Sequence, residues 1–507
     1  MSGHDISSAA KKSRLHEDID WFESEAEDFS AEECEEDNES EKEIQQSESE
    51  YENESLLAWK GRLSFRQYIP SKRSRFGIKL FALCDPVSGY VHKLSVYIGD
   101  EREQAEGTDN DKPPSLHNFS AHTGPNFTPP ADTLPVEYFD YFFLPVDQGR
   151  SSLWDFIAAE TNKYFEYTKA KVGVLQALSK LNLWENATVQ RLRAFIGLCL
   201  NKGLWKALNI NAYFDGKHHS QNDPAFRETM KQDAFNLMLR FLHVSDSHNE
   251  PPRSSTSYDP QYKYRKVLEH LTARWQQGYD LFKAISIDET IVGFKGRHCL
   301  GDYIRIKNIT SGARRNTILP TQRPENHSGK NNHLVVDNYY TSQVLCEEML
   351  KKQIYVTGTV RKGRRGLPQG INAKMTTKGE MKVMRSGQMM ALSWVDRKQV
   401  RMLSTHASAK TCEKTLWNGQ VKTLPTVVVE YNDGMGGIDV ADQMTDAYAA
   451  ERRTMKCWKK IFFHLLDKTM TNAYIMYKLK PNIAKQMGHY NFIVEVIKGL
   501  LGDYQEA

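Results

Sequence analysis

The run Ile285–Arg297, Ile-Ser-Ile-Asp-Glu-Thr-Ile-Val-Gly-Phe-Lys-Gly-Arg, drops two adjacent acids into a stretch that otherwise reads as a β-strand. Its β-branched residues favour a pleated, half-buried segment, and an ionised carboxylate buried there without a partner is strongly unfavourable. Asp288 therefore either meets solvent or holds a cation. His333–Asn338, His-Leu-Val-Val-Asp-Asn, repeats the design: a short apolar strand that ends on Asp337. A third acidic site follows a glycine pair, in Gly436-Gly437-Ile438-Asp439-Val440-Ala441-Asp442. Two acids at strand positions and one near a helix start point to a carboxylate cage for a hard divalent cation, with Asn338 as a hydrogen-bonding neighbour.

Charge is divided unevenly. Residues 1–60 hold 20 acids against 5 bases, so the remainder carries 62 bases against 44 acids. The acidic stretch is poor in apolar residues and reads as a disordered tail; the basic body suits a polyanionic partner. The cysteines, at 34, 84, 199, 299, 346, 412 and 457, form no CxxC pair and signal neither a disulfide framework nor a zinc module. With no long apolar run and no signal-peptide pattern, the sequence reads as a protein of a reducing compartment that does not engage a membrane.

Beyond the tail, residues 61–101 are expected to form a β-hairpin. Phe76–Cys84 and Tyr90–Ile98 are the strands, Asp85-Pro-Val-Ser-Gly89 is the turn, and Lys72, Arg73 and Arg75 sit just upstream. Residues 102–131 read as a linker and 132–280 as helical. In that helical part Leu192, Phe195, Ile196, Cys199 and Leu200 recur at helical spacing, with Gly203 placed as the residue that ends the helix. From 281 to 450 strands and helices alternate: strands at Ile285, at Val335-Val336 and over Ile354–Val360, and a helix over Leu345–Leu350. β-like runs at Leu392–Val395 and Thr426–Glu430 suggest a β-rich insertion around 366–430. The basic run Arg361-Lys362-Gly363-Arg364-Arg365 and an amphipathic helix over 452–478, within a helical segment 451–507, complete the pattern. Trp458, Lys459 and Lys460 on that helix, with Arg361, Lys362, Arg364, Arg365, Lys72, Arg73 and Arg75, are the candidate nucleic-acid contacts.

Read together, Ser286-Ile-Asp-Glu-Thr290, Val336-Asp-Asn-Tyr-Tyr-Thr-Ser342, Tyr355-Val-Thr-Gly-Thr-Val-Arg361 and Tyr431-Asn-Asp-Gly-Met-Gly-Gly-Ile-Asp-Val-Ala-Asp-Gln443 resemble the piggyBac family of cut-and-paste transposases, in its transposable-element-derived branch. The likeness extends through Asp223–His243 and Trp458–Lys478. It implies an α/β fold: a ribonuclease-H-like mixed sheet with a β-rich insertion, preceded by a helical dimerisation and DNA-binding domain and, here, by the acidic tail. The resemblance further implies a catalytic aspartate triad at Asp288, Asp337 and Asp439, with Asp442 as a supporting metal-site acid, Mg²⁺ (or Mn²⁺) as cofactor, double-stranded DNA with TTAA targets as substrate, a homodimer and a nuclear location. The leading reading is a DNA-binding protein of transposase descent whose ancestral reaction is metal-dependent strand cleavage and transfer; a catalytically inactive DNA-binding or scaffold protein and a metal-dependent nuclease without integration stay open beside it.

Two departures from the family pattern stand out. Family members run from the first acidic strand through Lys-Gly-Arg directly into the hairpin. Here Lys60-Gly61-Arg62 introduces the hairpin more than 200 residues upstream, while Lys295-Gly296-Arg297 leads into different sequence. Many members also end in a cysteine-rich zinc domain, whereas the last cysteine here is Cys457. The displaced hairpin is expected to pair beside the Asp288 strand all the same, because an open strand edge is one that proteins protect. A linker of about 30 residues reaches on the order of 100 Å. Residues 298–332 are then expected to loop out.

Overall fold

The computed structural model describes residues 55–56, 66–68, 76–86, 88–96, 116–292 except 128, 131, 208, 216–223, 253 and 260, and 329–506 except 416–418, 451–453, 455 and 481–485. The expectations for residues 1–54 of the acidic tail, for Lys72, Arg73 and Arg75, and for the 298–332 loop as far as residue 328 thus lie outside the described residues, whereas Ser55–Leu56, read as part of the disordered tail, form a short strand parallel to Thr290–Ile291.

One large mixed sheet organises the chain. Its strands run in the order Met381–Ser386, Met389–Val395, Gln399–Ser404, Tyr355–Thr359, His333–Val336, Ala284–Val292, Phe76–Cys84 and Arg66–Tyr68, with Val91–Val96 also paired to Phe76–Cys84. The three central strands, 284–292, 333–336 and 355–359, are parallel. Every residue of His333–Val336 is buried, as expected of a parallel strand covered on both faces.

The hairpin joins this sheet where it was expected. Phe76–Cys84 lies antiparallel to Ala284–Val292 over seven residue pairs, from Ile78 opposite Val292, through Ala82 opposite Asp288, to Cys84 opposite Ser286. Its turn is closed by Asp85: Oδ2 accepts from the Ser88 amide at 2.8 Å, and the Asp85 carbonyl accepts from the Gly89 amide, also at 2.8 Å. Gly89 has φ +75°, a conformation that costs glycine little. Tyr90 stacks on Tyr279 with ring centroids 4.1 Å apart and donates its hydroxyl to the Trp275 carbonyl, which fixes the hairpin to the end of the helix Tyr262–Gly278.

The far edge of the hairpin is covered by a side chain. Asn472, on the helix Cys457–Lys478, accepts from the Val91 amide at 2.9 Å and donates to the Val91 carbonyl at 2.7 Å, supplying the pairing that another strand would give. This helix differs from the amphipathic surface helix of the sequence reading, because it is buried nearly all round. His464, Asp467 and Lys468 lie inside along with Ile461, Phe462 and Leu465. It packs on Pro135–Asp140, Tyr262–Gly278 and His489–Leu501.

Three further readings change. The strands 381–386, 389–395 and 399–404 extend the main sheet through the antiparallel pairing of Met402–Ser404 with Thr357–Thr359, although they enclose a small core of their own around Met390, Leu392, Trp394 and Met402. Thr426–Glu430 is helical, within Thr426–Met435. Its β-branched run is outvoted by packing: Val427 enters the small core, and at Gly434 a Cβ would lie 2.6 Å from Val335 Cγ2. Gly203 does not end its helix, which spans Val189–Leu204. It sits where a Cβ would come 2.1 Å from the Tyr448 carbonyl oxygen.

Asn472→Leu removes both bonds to Val91 and leaves a buried amide and carbonyl unpaired. Urea unfolding is expected to show a loss of roughly 2–4 kcal/mol; a loss under about 0.5 kcal/mol would mean that the edge is held some other way.

Candidate active site

The parallel register of the central strands brings two of the acids level. Ser286 stands opposite Val335 and Ile287 opposite Val336, so Asp337, the first residue past its strand, stands level with Asp288 in the middle of the neighbouring one. Asp288 is held from its other side by Ala82 of the hairpin.

Asp337 begins a tight turn. Its Oδ1 accepts from the Tyr339 amide at 2.8 Å, and its carbonyl accepts from Thr341 Oγ1 at 2.6 Å and from the Thr341 amide at 3.1 Å. This Asx-type turn fixes the carboxylate of a half-buried residue in one orientation. Thr341 is fully buried beneath it, and Gly358 makes room: a Cβ there would meet Thr341 Oγ1 at 2.1 Å and the Val336 carbonyl at 2.6 Å.

Asp439 comes from the first turn of the helix Gly437–Ala447, which packs across Ala284–Val292 and Phe76–Cys84. Gly437 explains the glycine pair, since its Cβ would fall 2.4 Å from Pro86 Cα. Gly89 on the same turn also lies close to that helix, its Cβ position 3.2 Å from Val440 Cγ1. The turn of the displaced hairpin is therefore the seat of the helix that carries Asp439.

Asp442, three residues on, faces the interior. Its Oδ1 accepts from Lys468, whose side chain is 1% exposed, and its Oδ2 has no hydrogen-bond partner among the described residues. Read as one of the polar residues around an amphipathic helix, Lys468 gives no sign in the sequence of a buried partner 26 residues away. Asn338 is also committed, since its Oδ1 accepts from Arg361 Nε at 2.6 Å instead of turning to a carboxylate. Arg364 donates to the Tyr339 carbonyl at 3.0 Å. The basic run 361–365 is thus folded onto the loop that follows Asp337, with Arg361, Lys362 and Arg365 exposed.

The candidates on the Cys457–Lys478 helix fare differently. Trp458 is 6% exposed and packs against the His243 ring, and Lys459, 7% exposed, donates to the carbonyls of Leu239 and Arg240 at the end of the helix Gln232–Phe241. Both are interior residues, Lys459 closing a helix terminus and Trp458 packing beside it, so neither side chain is exposed as a nucleic-acid contact requires; Lys460 is half-buried.

The model of a family described as Transposase IS4 matches residues 36–117, 134–316 and 324–474 of this chain, most of its length. The chain belongs to the piggyBac transposase family. Its curated relatives include human PiggyBac transposable element-derived protein 5, 20% identical over 440 residues that make up 77% of this chain and 80% of that one. PiggyBac transposable element-derived protein 3, also human, is 23% identical over 335 residues, 57% of this chain and 55% of the relative. Among solved structures, the cryo-EM structure of a piggyBac transposase synaptic complex with hairpin DNA matches with a TM-score of 0.60 at 19% identity, covering 76% of this chain and 83% of that one. The piggyBac fold accounts for the sheet: an antiparallel meander, 91–96, 76–84 and 284–292, followed by the parallel strands 333–336 and 355–359, is the ribonuclease-H-like arrangement. In this piggyBac chain the meander is completed by a hairpin that arrives from upstream.

The glycine pair supplies a paired test. Gly437→Ala forces a methyl group into the hairpin turn and is expected to lower stability by roughly 1–3 kcal/mol. Gly436→Ala, with nothing within 4 Å of its Cβ position, is expected to stay within about 0.5 kcal/mol of the parent. Equal effects in denaturant unfolding would show that the turn does not seat the helix.

Proposed function

We propose that this protein is a transposase-derived DNA-binding protein whose acidic site performs metal-dependent strand cleavage and transfer on double-stranded DNA, with TTAA as target. The observation that carries this reading is the level placement of Asp288 and Asp337 on adjacent parallel strands, with the Asp439 helix packed across the strand of Asp288. The donor set fits a hard cation. Asp337 and Asp439 are half-buried carboxylates, and all three aspartates offer oxygen alone, the ligand type that Mg²⁺ and Mn²⁺ take. Asp288, Asp337 and Asp439 would hold the metal, with Asp442 limited to Oδ2 because Oδ1 is bonded to Lys468. When bound, paired divalent ions activate a water or 3′-hydroxyl nucleophile and stabilise the leaving oxygen of a phosphodiester.

The rest falls to the chain's own residues. The Asp337 turn holds its carboxylate in place before any substrate arrives, so little reorganisation is left to the reaction. The exposed Arg361, Lys362 and Arg365, tethered beside that turn through Arg361 and Asn338, are placed to take backbone phosphates next to the acids. A homodimer and a nuclear location belong to the same reading. Among the described residues no helix is long and apolar enough to cross a membrane.

Two experiments test this. Purified protein incubated with DNA carrying transposon ends and Mg²⁺ is expected to nick it, and Asp288→Ala to abolish nicking; nicking that survives the substitution removes Asp288 from the mechanism, and binding without nicking favours the inactive DNA-binding reading. DNA affinity is expected to fall with salt at a log–log slope of about −0.9 per phosphate contact. Replacing Arg361, Lys362 and Arg365 together with alanine should make that slope shallower by about 2–3. An unchanged slope would place the phosphates elsewhere.

A further inference from the structure

The strand that ends on Asp337 begins on a histidine. His333 is buried, with Nε2 2.8 Å from Thr357 Oγ1. His406, two residues past the strand Gln399–Ser404, lays its ring on that of His333 with centroids 4.1 Å apart and planes 13° from parallel. The Nδ1 of His406 lies 3.1 Å from Glu430 Oε2, on the helix Thr426–Met435. One ligand atom from each of the three residues lies within 4.8 Å of the others, and His406 Nε2 is enclosed without a hydrogen-bond partner among the described residues.

A buried imidazole, a second one largely covered and a half-buried carboxylate gathered at one place are poor packing material, since apolar residues of similar size would fill the space with fewer polar atoms taken from water. They are, however, a recurrent ligand set for zinc. We propose that His333, His406 and Glu430 bind a divalent transition-metal ion, zinc before others, at the end of the sheet opposite Asp288 and Asp337. The two sites are separated by the length of the strand 333–337, about 13 Å at 3.3 Å per residue. Nitrogen-rich ligation selects zinc or copper over magnesium, so the two sites differ in chemistry as well as place.

Binding requires the His406 ring to swing off the face of His333, because a metal lies in the plane of each imidazole that holds it, and the ligand atoms to close to about 3.3 Å of one another, given Zn–N distances of about 2.0–2.1 Å. The outer pair is able to move: the side chains of His406 and Glu430 are 12% and 29% exposed, on a segment beyond a strand end and on a helix surface, while His333 is fixed in the sheet. Burial first, then His406 and Lys283, hold His333 well below the ordinary histidine pKa, which keeps it in the neutral form that a metal takes. The ion would tie the helix Thr426–Met435 to the sheet. That helix leads through Gly436 directly into the helix bearing Asp439, so a clamp at Glu430 would brace the third acid from a distance.

The test uses the full chain after chelator treatment. Zn²⁺ is titrated against a chromophoric chelator, and Co²⁺ is used as a spectroscopic substitute. One Zn²⁺ per chain is expected, with the intense visible absorption of four-coordinate Co²⁺. His406→Ala and Glu430→Gln, whose side chains lie nearer the surface, should each weaken Zn²⁺ binding about tenfold or more and remove the Co²⁺ bands, with circular dichroism reporting the fold. Asp288→Ala combined with Asp337→Ala should leave both readouts unchanged. Failure of the parent chain to bind Zn²⁺, undiminished binding in the His406→Ala, Glu430→Gln double variant, or loss confined to the aspartate variants would each overturn the proposal.

Discussion

The pairing of Phe76–Cys84 with Ala284–Val292 is the contact on which the rest of the architecture depends. It covers one side of the strand that carries Asp288, places Ala82 opposite that residue, and brings in a turn whose backbone supports the helix of Asp439. The two segments are separated by about 200 residues, yet closing a longer loop adds only about 0.6 kcal/mol per doubling. A hairpin moved upstream in the chain therefore reaches the same place in the sheet, because the unpaired edge waiting for it costs more than the longer path.

Glycines mark the points where backbones around the acids come together. Gly358 lies under the Asp337 turn, Gly434 against the Asp337 strand, and Gly437 against the hairpin turn; at each of them a Cβ would stand 2.6 Å or less from a neighbouring heavy atom. The acids sit on elements pressed into contact at these places, and in a close-packed interior such contacts leave little freedom to drift. Rigid placement of this kind is what a site needs when its ligands come from three separate segments.

Charge inside the protein is organised by the helix Cys457–Lys478. Lys468 meets Asp442, Lys459 closes the helix Gln232–Phe241, and Asn472 covers the hairpin edge. A buried ion pair adds little net stability over an apolar pair, but breaking one partner leaves a costly bare charge. The value of these groups lies in register, since each fixes one element against another at a single position.

The sequence by itself determined the local features: strands that end on Asp337 and carry Asp288, the hairpin with its Asp85–Gly89 turn, and the helical period of Val189–Leu204. All are written in periodicity and turn chemistry within a few residues, where backbone sterics and alternating burial act directly. Only the tertiary structure decided the fate of residues whose surroundings come from far along the chain. The Val-rich run at Thr426 became helix because Val335 and a small core receive one of its faces, and Trp458 and Lys459 became interior because a helix end some 220 residues earlier lies against them. Arg361 reaching Asn338, Lys468 reaching Asp442 and His406 meeting His333 have the same origin. Side-chain partners at such separations are set by how helices and strands pack, and packing leaves no periodic trace in the sequence of either partner.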